Sequence, residues 1–437
     1  MTNSVNLRAL VLEMLVEIIE NKQYSHLLLR AVLEKYQYLE KQERAFITRL
    51  TEGTIEHLIE IDYIIDSFSK TKVKKMKPVI RNILRMGVYQ IKYMDSVPDS
   101  AVCNEAVKLA KKRGFSQLSG FVNGVLRTIA REIDSVKYPG EKEEPEHYLE
   151  IMYSMPRWIV NQWMDEYGYD KTKEMLVNFQ KEKPISIRTN TTKCTPEELK
   201  ARLEQEGVSV APIPLLDYAF DISGFDYLGN LESFEDGLFY VQDISSMMVA
   251  EIASPSQGDY VIDVCAAPGG KSLHIAQMLQ GTGMVDARDL TDYKVELIEE
   301  NIERFGLSNM KAVCMDATIK DEASMEKADV LICDLPCSGL GILGKKTDIR
   351  YKMTPEGQAD LVALQRKILD TVWEYVKPGK TLVYSTCTIH KEENENNVLW
   401  FLETHKDFSL ESMKQLFPGE ETHDGFFIAR LKRNEKK

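Results

Sequence analysis

Apolar residues recur every three or four positions through the first third of the chain. Leu7, Leu10, Val11, Met14, Leu15 and Ile18 fall on one helical face. The same spacing returns over 42–68, 78–94, 100–113 and 118–133, so the pattern predicts helices throughout 7–135. Pro98 before Asp99-Ser100 predicts a cap for a helix starting at Ala101. No repeat of fixed period is present. The stretch Lys137-Tyr-Pro-Gly-Glu-Lys-Glu-Glu-Pro145 joins proline, glycine and charge, the mark of a domain boundary. Residues 146–180 read as helical again. A strand at Ile185–Thr189, a helix after the cap Thr195 and a strand-like run at Leu238–Gln242 then predict a small α/β segment.

From about residue 246 the rhythm changes. Strand-length apolar runs at 260–264, 284–287, 311–314, 330–333 and 381–385 alternate with helical stretches. That alternation predicts a doubly wound, mostly parallel, Rossmann-like sheet. In the common order 3-2-1-4-5, strands one, four and five are neighbours. Asp263, Asp334 and Cys387 then lie near one carboxyl edge, on strands roughly 5 Å apart. Such edges are where doubly wound sheets bind ligands.

At 437 residues the chain is too long for one ordinary core. The expected division is a helical domain over 1–136, a linker over 137–150, a small α/β domain over 151–245 and the doubly wound domain over 246–437. Composition is that of a soluble globular protein, 43% apolar and 28% charged, with no apolar run of membrane-spanning length. Residues Met1–Arg8 carry no apolar signal-peptide core. Seven cysteines are scattered without a C-x-x-C pair, which argues for reduced thiols in a cytoplasmic setting and against a disulfide frame or a zinc site. Net charge is −13, yet residues 1–140 hold 22 Lys and Arg against 16 Asp and Glu, a surplus of six. A basic N-terminal third on an acidic body is an asymmetry that fits RNA. The densest basic run, Lys70-Thr-Lys-Val-Lys-Lys-Met-Lys77, reads equally as a solvated loop between helices.

After the first strand of the sheet comes Asp263-Val-Cys-Ala-Ala-Pro-Gly-Gly-Lys-Ser272. A phosphate loop would need glycine where Cys265 stands, and a dinucleotide fingerprint is absent. An S-adenosylmethionine loop fits better. Its glycines let backbone pass close to the methionine part, and an acidic residue after strand two holds the ribose hydroxyls. Asp289 lies about 20 residues on, where strand two ends in such folds. Asp316, after strand three, is placed to meet the adenine amino group.

Two thiols follow strand ends: Cys337 in Asp334-Leu-Pro-Cys-Ser-Gly339 and Cys387 in Tyr384-Ser-Thr-Cys387. A thiolate that adds to carbon 6 of cytosine makes carbon 5 enamine-like and able to attack a methyl sulfonium. An acid near the ring nitrogen stabilises that adduct, a task for which Asp334 is placed. A second thiol can assist the elimination that follows. Cys103, Cys194, Cys314 and Cys333 read as buried small hydrophobes. Cys387-Thr-Ile-His390 invites a Cys/His hydrolase reading, but no orienting residue or oxyanion motif accompanies it. His390 reads as a surface or helix-start residue.

At these residues the chain resembles the RsmB/NOP (Fmu/Sun) family of RNA cytosine-C5 methyltransferases. Asp263–Lys271 is similar to the family's cofactor motif. Asp334-Leu-Pro-Cys-Ser-Gly-Leu-Gly341 and Tyr384-Ser-Thr-Cys-Thr388 are similar to its two cysteine motifs. Val241-Gln-Asp-Ile-Ser-Ser246 and Asp424-Gly-Phe-Phe427 also fit. The N-terminal helices resemble the antitermination factor NusB at Val97–Ala106 and Gly120–Arg127. Ser272 stands where threonine is common, and Lys345-Lys346 replaces a more arginine-rich stretch.

The resemblance implies a NusB-like helical domain that binds RNA, and S-adenosyl-L-methionine as cofactor. It implies Cys387 as nucleophile and Cys337 as the thiol that helps release product. The cofactor site would comprise Cys265, Ala266, Ala267, Pro268, Gly269, Gly270, Lys271, Asp289, Asp316 and Asp334. Thr386-Cys387 favours RNA, since DNA cytosine methyltransferases use the Pro-Cys thiol. The implied substrate is one cytosine of 16S ribosomal RNA, of the position-967 type, naked or in early assembly. DNA, membrane and metal play no part in it, and a monomer is implied. Transfer RNA as substrate, or an RNA-binding assembly factor with a vestigial methyltransferase half, remain the alternatives.

Overall fold

The computed structural model of the chain describes residues 5–419 and 424–435. Met1–Ser4 of the N-terminal stretch discussed above lie outside the described residues. The chain forms two compact units, one of residues 1–180 with 343–352, the other of 181–342 with 353–437.

The first unit is helical: among its elements are helices at Leu7–Leu15, Lys41–Glu56, Leu58–Phe68, Pro78–Tyr93, Asp99–Lys112 and Ser119–Glu132. The amphipathic spacing decides which faces meet. Val11, Leu12, Met14, Leu15 and Ile18 are buried against Ile47, Leu50, Ile83 and Leu84 in one core. The Asn6 side chain accepts from Ala9 N and starts the first helix, and Pro78 sits in the first turn of its own, where its missing N–H costs nothing. The expected Asp99-Ser100 cap is not used. Pro98 makes the turn instead: its carbonyl accepts from both Ala101 N and Val102 N, and the helix already begins at Asp99. The lysine run forms a short 3-10 turn pinned by buried Val73 and Met76, which leaves Lys70, Lys72, Lys74, Lys75 and Lys77 exposed.

Residues 343–352 pack within this helical unit, although they come from far along the chain. Asp348 accepts from both the backbone N–H and the hydroxyl of Ser25. Arg350 is 1% exposed and donates to the carbonyls of Leu343, Thr347, Tyr153 and Ser154. A guanidinium has several donors in a fixed fork, so one arginine can satisfy several loop carbonyls that burial would otherwise orphan.

The second unit holds two sheets. The smaller contains β1 (Ile185–Thr189), β2 (Ser209–Pro212), β3 (Ala219–Ser223) and β4 (Phe239–Val241) in the order β2-β3-β1-β4. The helix Pro196–Gln205 starts at Thr195 with a capping box to Glu198, as the sequence predicts. The larger contains β5 (Tyr260–Asp263), β6 (Met284–Asp289), β7 (Met310–Cys314), β8 (Ala328–Asp334), β9 (Val376–Thr386), β10 (Phe408–Leu416) and β11 (Phe426–Arg433), in the order β10-β11-β9-β8-β5-β6-β7. Five parallel strands stand in the expected 3-2-1-4-5 order. The C-terminal pair β10 and β11 is antiparallel and was not foreseen. Most of β10 is exposed, so it carries no clean apolar alternation.

Glu60 is 2% exposed and accepts from Lys92, Tyr93 and Tyr138. Burial pushes its carboxyl up, but the hydrogen bonds from His57, Lys92 and Tyr93 and the Lys92 charge outweigh that and hold it at about 2. A depressed acid stabilises the fold above its unfolded pKa and loses that contribution as pH falls through the folded value. Chemical unfolding of the wild-type chain is expected to lose on the order of 3 kcal/mol from this group between about pH 4.5 and 2. Glu60→Gln should be less stable at neutral pH and lack that part of the acid slope. An unchanged slope in the variant would show that Glu60 does not set it.

Candidate active site

The parallel strands end on acids and thiols. β5 ends at Asp263, β6 at Asp289 and β8 at Asp334, while Cys387 follows Thr386 at the end of β9. Asp334 pairs in register with Ser385, and Asp263 with Ile332. The edge therefore gathers Asp263, Asp334 and Cys387 as the strand order predicts. Cys337 Sγ lies 3.2 Å from Cys387 Sγ, both half-buried. Of the remaining cysteines, Cys103 and Cys333 are buried and Cys194 is half-buried. Cys314 corrects the sequence reading: it is exposed, because it ends the edge strand β7.

The loop Cys265–Lys271 is strung between two carboxylates. Asp289 accepts from Ala267 N at 2.9 Å, and Asp263 accepts from the Ser272 hydroxyl at 2.6 Å. Ala266 N donates to the carbonyl of Arg288, and Pro268 O accepts from Asn301. Gly269 has φ +104°, a conformation that L side chains rarely adopt, and a Cβ on Gly270 would stand 2.8 Å from the Tyr240 ring. Both glycines are thus required by geometry. Asp263 is pushed up to about 7, by burial and then by the neighbouring Asp334 against the Ser272 hydrogen bond. Burial, with the nearby acids, raises the Cys265 thiol. The other oxygen of Asp289 accepts from Leu290 N and Lys294 Nζ. Asp316, half-buried after β7, accepts from Thr318 N, which holds its carboxyl below the usual range.

Lys271 does more than close the loop. Its Nζ lies 2.6 Å from Asp334 Oδ2, while the Ser385 hydroxyl donates to Asp334 Oδ1 at 2.7 Å. Burial opposes the Lys271 charge, but Asp334, Asp263 and Cys387 outweigh it and keep the ammonium protonated. A cation therefore pairs with the acid and acts electrostatically on the Cys387 thiol. Cys337 is raised well above the ordinary thiol range, first by its hydrogen bond to Cys387, then by burial and the charges of Cys387 and Glu393. Burial and the neighbouring sulfur thus favour the protonated form of Cys337, in direct contact with Cys387.

Gly341 joins the two cysteine loops. Its N–H donates to the Cys387 carbonyl at 3.0 Å, and its own carbonyl accepts from Gly425 N at 2.7 Å. Sequence reasoning passed over Glu393 and Asn394, which lie under these loops with no exposure. His390 starts a short helical turn as expected but is buried rather than on the surface, its Nδ1 3.2 Å from Glu393 Oε1. The polar run Glu392–Asn397 looks solvated on paper. Its one signal is that it directly follows a cysteine motif.

Comparison with known proteins agrees with this geometry. Residues 250–432 match the 16S rRNA methyltransferase RsmB/F family, residues 5–131 the NusB family, and residues 155–225 the ferredoxin-like domain of RsmF/B-like methyltransferases. The chain is 35% identical to a probable ribosomal RNA small subunit methyltransferase B of Bacillus subtilis, over 98% of this chain and 99% of that one. It is 31% identical to a protein of the same description from Synechocystis, over 98% and 100%. The crystal structure of PH0851 superposes with a TM-score of 0.82 at 28% identity over 98% of each chain. A methyltransferase homolog from Pyrococcus horikoshii superposes with a TM-score of 0.58 at 26% identity, over 65% of this chain and 97% of that one.

A Cβ on Gly341 would lie 2.0 Å from the Gly425 carbonyl and 2.8 Å from that of Cys387. Both contacts are backbone, so Gly341→Ala must move one loop. The expected cost is about 1–3 kcal/mol in chemical unfolding, together with a changed alkylation rate at Cys387 read by mass spectrometry. Wild-type stability and an unchanged rate would mean that the loops absorb the methyl group without moving the thiol.

Proposed function

Because the chain belongs to the RsmB/F family of small-subunit ribosomal RNA methyltransferases, we propose that it methylates carbon 5 of one cytosine in 16S ribosomal RNA through a covalent bond between Cys387 and carbon 6 of the base. The observation that carries this reading is the Cys337–Cys387 pair, 3.2 Å apart beside the Lys271–Asp334 ion pair. A structural thiol needs neither a second thiol nor a half-buried cation.

S-adenosylmethionine supplies the methyl group as a sulfonium. The residues present fit that cofactor. The loop Cys265–Lys271 passes as bare backbone at Gly269 and Gly270, and four acids end or follow adjacent strands of the edge. Asp289 would hold the ribose hydroxyls in exchange for Lys294, and Asp316 the adenine amino group.

The remaining chemistry belongs to the chain. Cys387 adds to carbon 6, helped by the Lys271 charge and the Cys337 proton, and carbon 5 gains the electron density that methyl transfer needs. Asp334, held by Lys271 and Ser385, is the group that meets the ring nitrogen as the adduct forms. A base then removes the proton from carbon 5, the carbon 6–sulfur bond breaks, and Cys337 stabilises the departing sulfur of Cys387. The target base must leave its stack to reach the thiols, which suits naked or early-assembly RNA better than a buried site in a finished subunit. The helical unit offers five exposed lysines in and around one short turn for phosphate contacts, whose strength falls with salt. A monomer working in the cytoplasm completes the reading.

The test methylates naked 16S ribosomal RNA, assembled small subunits and transfer RNA in parallel and maps 5-methylcytosine by bisulfite sequencing. One modified cytosine on naked 16S RNA, of the position-967 type, is expected. Modification of transfer RNA alone would keep the chemistry and overturn the substrate. Cys387→Ala should give neither turnover nor adduct, whereas Cys337→Ala should accumulate a protein–RNA adduct that survives denaturing gels. The reverse pattern would exchange the roles of the two thiols.

A further inference from the structure

Directly beneath the thiols lie two consecutive side chains, Glu393 and Asn394, each with no solvent exposure. Their bonds to the residues flanking the two thiols divide between the two loops. The Glu393 carboxylate accepts from Ser338 N at 2.8 Å and from the Ser338 hydroxyl at 2.6 Å, so both bonds go to the residue after Cys337. Gln365 Nε2 donates to the same carboxylate at 3.0 Å and to the Pro336 carbonyl at 2.8 Å, the residue before Cys337. Asn394 does the corresponding work on the other loop. Its Oδ1 accepts from the Thr386 hydroxyl and its Nδ2 donates to the Thr388 carbonyl at 3.1 Å, the residues on either side of Cys387. The two loops meet once more where the Ser338 and Thr388 hydroxyls lie 2.7 Å apart.

We infer that Glu393 and Asn394 are paired positioning residues, Glu393 holding Cys337 for product release and Asn394 holding Cys387 for attack, so that one dipeptide sets the spacing of the two thiols. The inference rests on the two-thiol reading above. Its physical basis is that fully buried polar groups must be hydrogen-bonded, which makes such a network stiff and its geometry unique. Two residues joined by one peptide bond cannot drift apart, so anchoring one loop on each fixes both loops to a common reference. Backbone neighbours serve better here than residues on separate elements, because reacting groups lose rate steeply with small displacements. Glu393 also faces His390, whose Nδ1 lies at 3.2 Å, and Tyr384, whose hydroxyl donates to the Glu393 carbonyl. The clamp is thereby tied to β9 itself.

The dipeptide can be divided by isosteric changes. Glu393→Gln keeps the shape but turns one acceptor into a donor that faces Ser338 N or Gln365. Asn394→Asp keeps the acceptor for Thr386 and removes the donor to Thr388. Full-length variants would be assayed on 16S RNA for turnover and for gel-stable adduct, with cofactor affinity measured separately. Glu393→Gln is expected to lose turnover by about 100-fold while adduct accumulates. Asn394→Asp is expected to lose turnover and adduct together. Cofactor affinity should stay within about twofold in both, a readout that general unfolding would move. Ser338→Ala and Thr386→Val, each removing one hydroxyl, should show milder forms of the two patterns, and Thr386→Ser should restore the second. These variants decide the matter if either isostere fails to fold. A common pattern for both positions, or wild-type turnover in both, would overturn the inference. Cys387→Ala and Cys337→Ala run in the same assay: if Cys387→Ala still forms adduct, or Cys337→Ala forms none, the two-thiol reading has failed rather than the clamp.

Discussion

The Lys271–Asp334 ion pair is the contact on which the site depends. Taking two half-buried charges out of water costs free energy that their attraction must first offset, so the pair is a poor device for stability alone. Its value lies in where it stands. Lys271 is the last residue of the glycine loop, Asp334 the last of β8, and Cys387 the group that shares the Lys271 charge. One ammonium therefore links the cofactor loop, the candidate acid and the candidate nucleophile. The glycine loop and the end of β8 are tied together through it.

That coupling explains why the surroundings are polar and buried at once. Asp263 is raised to about 7 by burial and by Asp334, and the Ser272 hydroxyl offsets part of that. Ser385 satisfies the second oxygen of Asp334, while Glu393, Ser338, Thr388 and Asn394 satisfy one another under the thiols. Each group left without a partner would cost about 1–3 kcal/mol. The network stays in one arrangement because the alternatives strand a donor. In the helical unit the same economy appears around Arg350, whose fork closes off four loop carbonyls.

Much of this was legible in the chain because parallel strands buried on both faces read as plain apolar runs. Tyr260–Asp263, Ala328–Asp334 and the end of β9 are of that kind, and once their order is assumed the three edge residues come together. Strands with little burial gave no such signal: β2 is largely exposed and β10 is exposed over most of its length. Cys314 was misjudged for a related reason, since composition cannot show that its strand lies at the edge of the sheet. The pairing of Lys271 with Asp334 was invisible because its partner is 63 residues away in sequence.

Glu393 and Asn394 mark the sharper limit. Six polar residues in succession, Glu392–Asn397, follow the rule for a solvated helix start, and the rule fails because the two cysteine loops need hydrogen-bond partners below them. Hydrophobic patterning identifies the side chains that water expels. It is silent about polar side chains drawn inward by unpaired backbone and hydroxyl groups. Catalytic loops are rich in such groups, because a thiol that must be both reachable and fixed cannot be held by apolar packing alone. The residues that organise a site of this type are therefore the ones that a hydropathy reading discards, and they are found by asking where the buried donors of the catalytic loops end.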